Sequence, residues 1–329
     1  MATPNTVQLF SLDADRAFAE RVARHLGTVP ARHEERDFED GEHKIRPLEN
    51  VRGNDVYVVQ SLHGDPNLSV NDKLIRLCFL LGALRDAGAG RLTLVCPYLA
   101  YARKDRRTKA LDPLSLRYLA QMIEAMNVDQ VMTMDVHDLA AYQNAFRRPA
   151  LHLSWRNTLI EHLEPSLRHA DVTVASPDVG GIKRANPLRE ALENTLDRPV
   201  GLAFMEKHRS RGAVSGELIA GDLKDRTVVL IDDLIASGGT LARAAEAYRQ
   251  AGALKIIACA THGVFSDQSA TVLATPEIEH IIVSNSLPPW RLGDGKARDK
   301  LTVLDVSGQI ARAIEHSHRG REIDEALKG

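Results

Sequence analysis

Residues 228–241 constrain the fold of this chain more than any other stretch: they read Val-Val-Leu-Ile-Asp-Asp-Leu-Ile-Ala-Ser-Gly-Gly-Thr-Leu. An apolar run ends in two carboxylates, Asp232 and Asp233, and a loop of small residues follows at once. An alanine-rich helical pattern comes next. A continuous apolar run of strand length fits a buried parallel strand, and the order strand, tight turn, helix start belongs to α/β architecture. Gly238 and Gly239 let backbone N–H groups approach an anion closely, while Ser237 and Thr240 add hydroxyl donors. The segment reads as a cradle for a sugar phosphate, with the two aspartates placed for ribose hydroxyls or a metal ion. It is not a Walker loop, because no lysine follows the glycines, and the dinucleotide fingerprint spacing is missing.

The rest of the chain repeats the strand–helix alternation. Strands are expected at 7–11, 55–61, 91–98, 130–137, 171–176, 200–206, 227–232, 255–261, 280–285 and 301–306. Helices are expected at 14–26, 71–87, 113–126, 183–194, 240–252 and 307–315. Residues 288–300, polar with Gly and Pro, read as a loop. At 329 residues the chain has room for about two domains. Arg147-Arg148-Pro149 breaks the pattern, so the expected division is 1–149, 150–306 and a terminal helix and tail, 307–329.

A net charge of −2 with both signs interspersed argues against nucleic acid or a membrane surface as the main partner. Cys78, Cys96 and Cys259 sit in apolar runs and read as buried free thiols of a reducing compartment. No signal peptide or bilayer-length apolar run is read, and the expected location is the cytoplasm.

Other chemistry-bearing residues cluster where predicted strands end. Asp178 opens a second strand-to-helix turn, Ser176-Pro177-Asp178-Val179-Gly180-Gly181, and His137 closes the run Met132-Thr133-Met134-Asp135-Val136-His137. The Asp178 turn can accept a phosphate or a metal, and His137 alone fits a structural role; paired, they suit a magnesium ion bridging phosphates, with the imidazole an unusual ligand for so hard a cation. Asp40-Gly41-Glu42 reads as an acidic turn. Tyr101-Ala102-Arg103-Lys104-Asp105-Arg106-Arg107 is either a solvated face or a polyphosphate site. Glu206-Lys207-His208-Arg209 opens a basic stretch that is either an exposed hairpin loop or a mobile loop closing on a phosphoryl group.

Taken together and in this order, these blocks resemble the ribose-phosphate diphosphokinase, or phosphoribosyl-pyrophosphate synthetase, family across nearly the whole chain. They include Phe38-Glu39-Asp40-Gly41-Glu42, Pro97-Tyr98-Leu99-Ala100-Tyr101-Ala102-Arg103-Lys104-Asp105-Arg106 and Thr261-His262-Gly263-Val264-Phe265-Ser266. The resemblance implies two type I phosphoribosyltransferase-like α/β domains, each with a mostly parallel sheet flanked by helices. It implies transfer of the pyrophosphoryl group of ATP to ribose 5-phosphate, giving phosphoribosyl pyrophosphate and AMP. Phe38, Asp40, Gly41, Glu42, Arg103 and Lys104 would face ATP, and His137 and Asp178 would serve Mg2+. Lys207 and Arg209 would stabilise the transition state. Arg209, Asp232, Asp233, Ala236, Ser237, Gly238, Gly239 and Thr240 would hold ribose 5-phosphate. The family also implies a homo-oligomer, dimer-based and hexameric in many members, with Asp40 and Glu42 reaching ATP from an adjacent chain.

Several positions depart from the common pattern of the family. Lys104 stands for Gln, Ala236-Ser237 for Asp-Thr, Leu12-Asp13 for Gly-Asn, and Ser284-Asn285-Ser286 for Thr-Asp-Thr. A changed response to phosphate or ADP is the expectation these carry. Two other readings stay open: a phosphoribosyltransferase, which leaves Asp40–Glu42 and Arg103–Arg107 unexplained, and a non-catalytic paralogue that regulates an active synthetase.

Overall fold

Two five-residue runs, Asp55–Val59 and Val172–Ser176, are buried at every position, which requires sheets covered on both faces. In the computed structural model, which describes residues 6–210 and 213–322 without the side chains of 207–210 and 213–217, each run lies inside its own mostly parallel sheet. The chain forms two units, one holding residues up to Ser154 together with those from Val306 on, the other Trp155–Asp305.

The first unit runs β1 (Val7–Phe10), α1 (Arg16–His25), β2 (His33–Asp37), β3 (His43–Pro47), β4 (Asp55–Val59), α2 (Val70–Asp86), β5 (Arg91–Cys96), α3 (Ser115–Ala125), β6 (Gln130–Met134), α4 (Leu139–Ala145) and β7 (Ala150–Leu153). Its five-stranded sheet has the order β1-β4-β5-β6-β7, parallel throughout. β2 and β3 form a separate antiparallel ribbon. The long helix α2 starts on a capping box. Ser69 Oγ accepts the Asp72 N–H, and the Asp72 carboxylate accepts the Ser69 N–H at 2.8 Å. Its face buries Leu74, Leu77, Leu80, Leu81 and Leu84 in the core of this unit.

The second unit runs α5 (Arg156–Leu167), β8 (Val172–Ser176), α6 (Ile182–Leu196), β9 (Gly201–Ser210), β10 (Ala213–Ala220), β11 (Thr227–Ile235), α7 (Gly239–Gln250), β12 (Lys255–Gly263), α8 (Ser269–Val272), β13 (His280–Ser284), α9 (Lys296–Asp299) and β14 (Leu301–Leu304). Its seven-stranded sheet has the order β10-β9-β8-β11-β12-β13-β14, with only β10 antiparallel to its neighbour. The terminal helix α10 (Ser307–His318) returns to the first unit and packs on α1, where Gly308 passes close to the His25 ring.

The α/β class expected from the alternation is the class found. Several boundaries differ. β6 stops at Met134, because Asp135 takes a left-handed φ of 38° that no strand sustains, so His137 lies beyond the strand. β11 continues past Asp232 to Ile235, since its ladder with β12 holds as far as Gly263. β9 passes Glu206 and reaches Ser210 by pairing with β10, so the basic segment begins inside a hairpin. Residues 288–300 include a 3-10 turn, Trp290–Leu292, and the short helix α9. The three cysteines are free and buried, as their apolar runs indicated.

Candidate functional site

The order of the second sheet places a switch point between β8 and β11. After β8 the chain crosses through α6 to β9 on one side; after β11 it crosses through α7 to β12 on the other. In open α/β sheets the crevice for ligands lies beyond the carboxyl ends of the two strands at such a point. The sheet of the first unit adds its strands in one direction, β1 to β7, with no reversal.

β11 outruns its neighbour at this edge. Its ladder with β8 ends at the pair Leu230–Ala175, while its ladder with β12 continues through Ile235. Asp232 and Asp233 therefore stand past the end of β8, with Asp233 buried and Asp232 partly so. Arg184, on the first turn of α6, sets one Nη1 3.8 Å from Oδ1 of each aspartate. The Asp232 carboxylate also accepts the backbone N–H of Asp233 at 2.9 Å. Burial, reinforced by the neighbouring Asp233, pushes the Asp232 carboxyl up to about 8 against the opposing pull of Arg184. Two crowded carboxylates under one guanidinium titrate as a pair, and burial and mutual repulsion favour a proton on the Asp232 side.

The loop after β11 is fixed from outside. The Ala236 carbonyl accepts the Ser269 hydroxyl at 2.6 Å and the Ser266 N–H at 2.9 Å, and the Ile235 carbonyl accepts the Phe265 N–H at 2.9 Å. Ser237 Oγ accepts the Gly239 N–H at 3.3 Å. Gly238 precedes α7 with a left-handed φ of 82°, and a Cβ there would stand 2.6 Å from Leu273 Cδ2. Only glycine meets both conditions without strain. The result is a helix N-terminus approached by a tight small-residue turn, where amides and helix dipole favour an anion.

The turn after β8 is built in the same way. Asp178 Oδ1 accepts the Gly181 N–H at 3.1 Å and so caps the short 3-10 turn Val179–Gly181. Gly181 is packed so closely that a Cβ would lie 2.2 Å from Ser176 Oγ. Tyr248 reaches across from α7 and donates its hydroxyl to the Ser176 carbonyl at 2.6 Å. Burial and the nearby Asp178 charge both raise the Tyr248 phenol, which keeps it a donor. Asp178 itself is exposed at the sheet edge. An exposed carboxylate offers oxygen ligands of the kind Mg2+ selects, but among the described residues Asp178, Asp232 and Asp233 do not form a group with ligand atoms close enough to share one ion.

The β9–β10 hairpin leaves this sheet at its edge. Across its ladder Lys207 pairs with Glu217 and Arg209 with Val214. The side chains of Lys207 and Arg209 lie outside the described residues.

The remaining sequence-predicted residues belong to the first unit. Asp40, Gly41 and Glu42 form the turn of the β2–β3 ribbon. The Phe38 carbonyl accepts the Gly41 N–H at 3.0 Å and Asp40 Oδ1 accepts the Glu42 N–H at 3.1 Å, with Gly41 at a left-handed φ of 89°. Phe38 is exposed, and the Arg36 guanidinium lies 5.1 Å above its ring. Arg103 and Lys104 are exposed in the loop after β5, where Lys104 N–H bonds the Tyr101 carbonyl at 3.0 Å. His137 is exposed just ahead of α4.

Two residues at the second unit's edge were not singled out from the sequence. Arg184 was visible only as part of a Gly-Gly-Ile-Lys-Arg string, and its reach to Asp232 spans two elements. Tyr248 fell within an alanine-rich helix pattern, and nothing local marks its bond to Ser176.

Comparison with known proteins adds to this geometry. Residues 7–126 match the family model described as the N-terminal domain of ribose phosphate pyrophosphokinase, and residues 183–327 match the phosphoribosyl synthetase-associated domain. A ribose-phosphate pyrophosphokinase of Haemophilus ducreyi is 35% identical over 311 residues, covering 94% of this chain and 94% of its own. That of Caldanaerobacter subterraneus is 35% identical over 320 residues, covering 97% of both. The crystal structure of phosphoribosylpyrophosphate synthetase from Mycobacterium smegmatis superposes with a TM-score of 0.85 at 32% identity, covering 96% of this chain and all of that one.

Proposed function

We propose, from the premise that the chain belongs to the ribose-phosphate pyrophosphokinase family, that it transfers the pyrophosphoryl group of ATP to the anomeric hydroxyl of ribose 5-phosphate. The hydroxyl oxygen bonds to the β-phosphorus, the bond from that phosphorus to the α-phosphate bridge breaks, AMP leaves, and the hydroxyl proton is lost. The observation that carries this reading is the switch-point edge, where the Asp178 turn and the 232–240 segment end neighbouring strands. The full-length match to relatives of that name favours it over a phosphoribosyltransferase, whose likeness would rest on the loop alone.

In this reading the amides and hydroxyls of residues 236–240 hold the 5-phosphate, and Asp232 and Asp233 take the ribose hydroxyls. Arg184 keeps that carboxylate pair from repelling the incoming anion by neutralising part of its charge. Phe38, Asp40, Gly41, Glu42, Arg103 and Lys104 contact ATP. Lys207 and Arg209 stabilise the charge that develops on the transferred group. Asp178 and His137 would hold Mg2+, which, when bound, offsets phosphoryl charge. Positioning and electrostatics supply most of the rate, since phosphoryl transfer asks little covalent chemistry of the protein. We further infer a homo-oligomer working in the cytoplasm, which the three buried free thiols suit; among the described residues no helix is long and apolar enough to cross a membrane.

The test is an assay of purified protein with Mg2+, ATP and ribose 5-phosphate and no nucleobase, followed by mass spectrometry. AMP and phosphoribosyl pyrophosphate are expected to appear together. ADP in place of AMP, or no turnover, would contradict the reading.

A further inference from the structure

The β2–β3 ribbon forms a sheet of its own in the first unit and carries the turn 38–42 at its tip. A two-stranded ribbon is marginal alone, so its direction is set by what it packs against. β2 reads His-Glu-Glu-Arg-Asp and offers no apolar side chain. In β3, Ile45 is buried in the core of the unit, while every other position of the two strands is half-buried or exposed. Ile45 sits at the middle of the ladder, opposite Glu35, and leaves the end nearer the turn to polar contacts.

Arg76, on α2, supplies such contacts. Its Nη2 donates to Asp37 Oδ1 at 2.5 Å, and its Nη1 lies 3.5 Å from Glu35 Oε2. Residues 35 and 37 share one face of β2, so a single forked guanidinium serves both carboxylates, a geometry that an ammonium does not offer. Asp37 pairs with His43 in the last rung of the ladder, and Phe38 follows it directly. The Arg76 and Glu35 side chains are 15% and 9% exposed, so solvent ions screen their attraction weakly. Glu35 is itself held in place: Oε1 accepts the Asp13 N–H at 2.8 Å and lies 3.0 Å from His33 Nε2. Burial alone would raise the Glu35 carboxyl, but these two contacts hold it below the usual carboxylate range, and Arg76 meets an anion.

The turn beyond this root is closed on itself. The Phe38 N–H donates to the Glu42 carbonyl at 2.9 Å, and Asp40 Oδ1 accepts the Glu42 N–H at 3.1 Å. A closed turn moves with its root. Asp40 is three residues past Asp37, roughly 10 Å at strand rise, so a tilt of about 10° at the root carries the tip about 2 Å. A shift of that size is enough to lose contacts with a bound molecule.

We propose, resting on the reading above that this turn contacts ATP, that Arg76 is a positioning residue for the nucleotide: from α2 it grips Asp37 and Glu35 and so aims Phe38 and Asp40–Glu42. Arg76 acts through the ribbon rather than on a substrate.

The test measures the affinity of the full chain for ATP with Mg2+, and separately for ribose 5-phosphate, by titration calorimetry, which needs no turnover; kcat is read at saturation. Arg76→Met is expected to weaken ATP binding about tenfold while leaving ribose 5-phosphate affinity and kcat within about twofold. Arg76→Lys should recover part of the loss. Asp37→Ala removes an anion, so charge alone would tighten ATP binding; loss of the grip instead weakens it, about fivefold. The Asp37 side chain is 63% exposed, so this variant tests the grip even where Arg76→Met fails to fold. Phe38→Ala separates the two claims. Weakened ATP binding there, with normal binding in Arg76→Met and Asp37→Ala, would overturn the role of Arg76 alone. Normal binding in Phe38→Ala would overturn the placement of ATP at the turn and the role of Arg76 with it. Equal losses for both substrates in Arg76→Met and Asp37→Ala would make the grip a purely structural one and would also overturn the proposal.

Discussion

Arg184 Nη1 lies 3.8 Å from Oδ1 of Asp232 and 3.8 Å from Oδ1 of Asp233, so one guanidinium from α6 serves two carboxylates on β11. Burial, reinforced by Asp233, outweighs it, and the Asp232 carboxyl is raised to about 8. The fold holds this pair against its own repulsion at the one edge where the order of the strands reverses.

That raised value has a measurable sign. An acid whose folded pKa exceeds its ordinary 3.8 costs the folded state nothing at low pH, and the penalty grows as pH climbs from about 4 to about 8. Asp232→Asn has no such penalty. Thermal denaturation of both chains at pH 5, 6.5 and 8 should show the variant gaining on wild type as pH rises and the gap levelling above pH 8. A gap independent of pH would refute the coupling, and the variant should also lose affinity for ribose 5-phosphate.

Gly238→Ala combines a left-handed φ of 82° with a Cβ 2.6 Å from Leu273 Cδ2. We expect a loss of about 1–3 kcal/mol in urea denaturation and a higher KM for ribose 5-phosphate. Adding Leu273→Ala to it relieves the clash and leaves the backbone strain. Whatever cavity the lost leucine leaves, KM in the double variant should return only part of the way. A Gly238→Ala chain with wild-type stability and KM would show that the turn does not need glycine.

Lys207→Ala tests the basic segment of β9. A group that acts mainly on the transition state lowers kcat while leaving ground-state binding nearly intact. We expect kcat down about 100- to 1000-fold with KM for ATP changed by less than about threefold. A KM effect with normal kcat would move Lys207 from chemistry to binding.

Tyr248→Phe removes the 2.6 Å hydrogen bond to the Ser176 carbonyl and leaves that buried acceptor without the phenol. The expected cost is about 1–2 kcal/mol in chemical denaturation, with the fold retained. No change in stability would mean that the bond does not anchor α7 to the end of β8.

The sequence is most legible where burial dominates. β8 and β11 announce themselves as apolar runs because both of their faces are covered, and α2 because its leucines recur at helical spacing. β2 reads His-Glu-Glu-Arg-Asp and gives no strand signal; it exists because β3 pairs with it and Arg76 of α2 binds Glu35 and Asp37. β9 extends through Lys-His-Arg-Ser for a similar reason, since β10 completes its hydrogen bonds. The helix α5 carries Pro165, which masks its pattern. Among the site residues, Asp232, Asp233 and residues 236–240 were readable from one contiguous stretch. The role of Arg184 was not, because its partners lie about fifty positions away and only the sheet order brings them together.

The most direct test of the central claim is to follow the β-phosphorus of ATP. Protein, Mg2+ and ribose 5-phosphate are incubated with ATP carrying an isotopic label at that atom, and the products are separated. Transfer of the pyrophosphoryl group in one piece predicts unlabelled AMP and a labelled diphosphorylated sugar in equal amounts. Labelled ADP with a sugar that has gained a single unlabelled phosphate would contradict it.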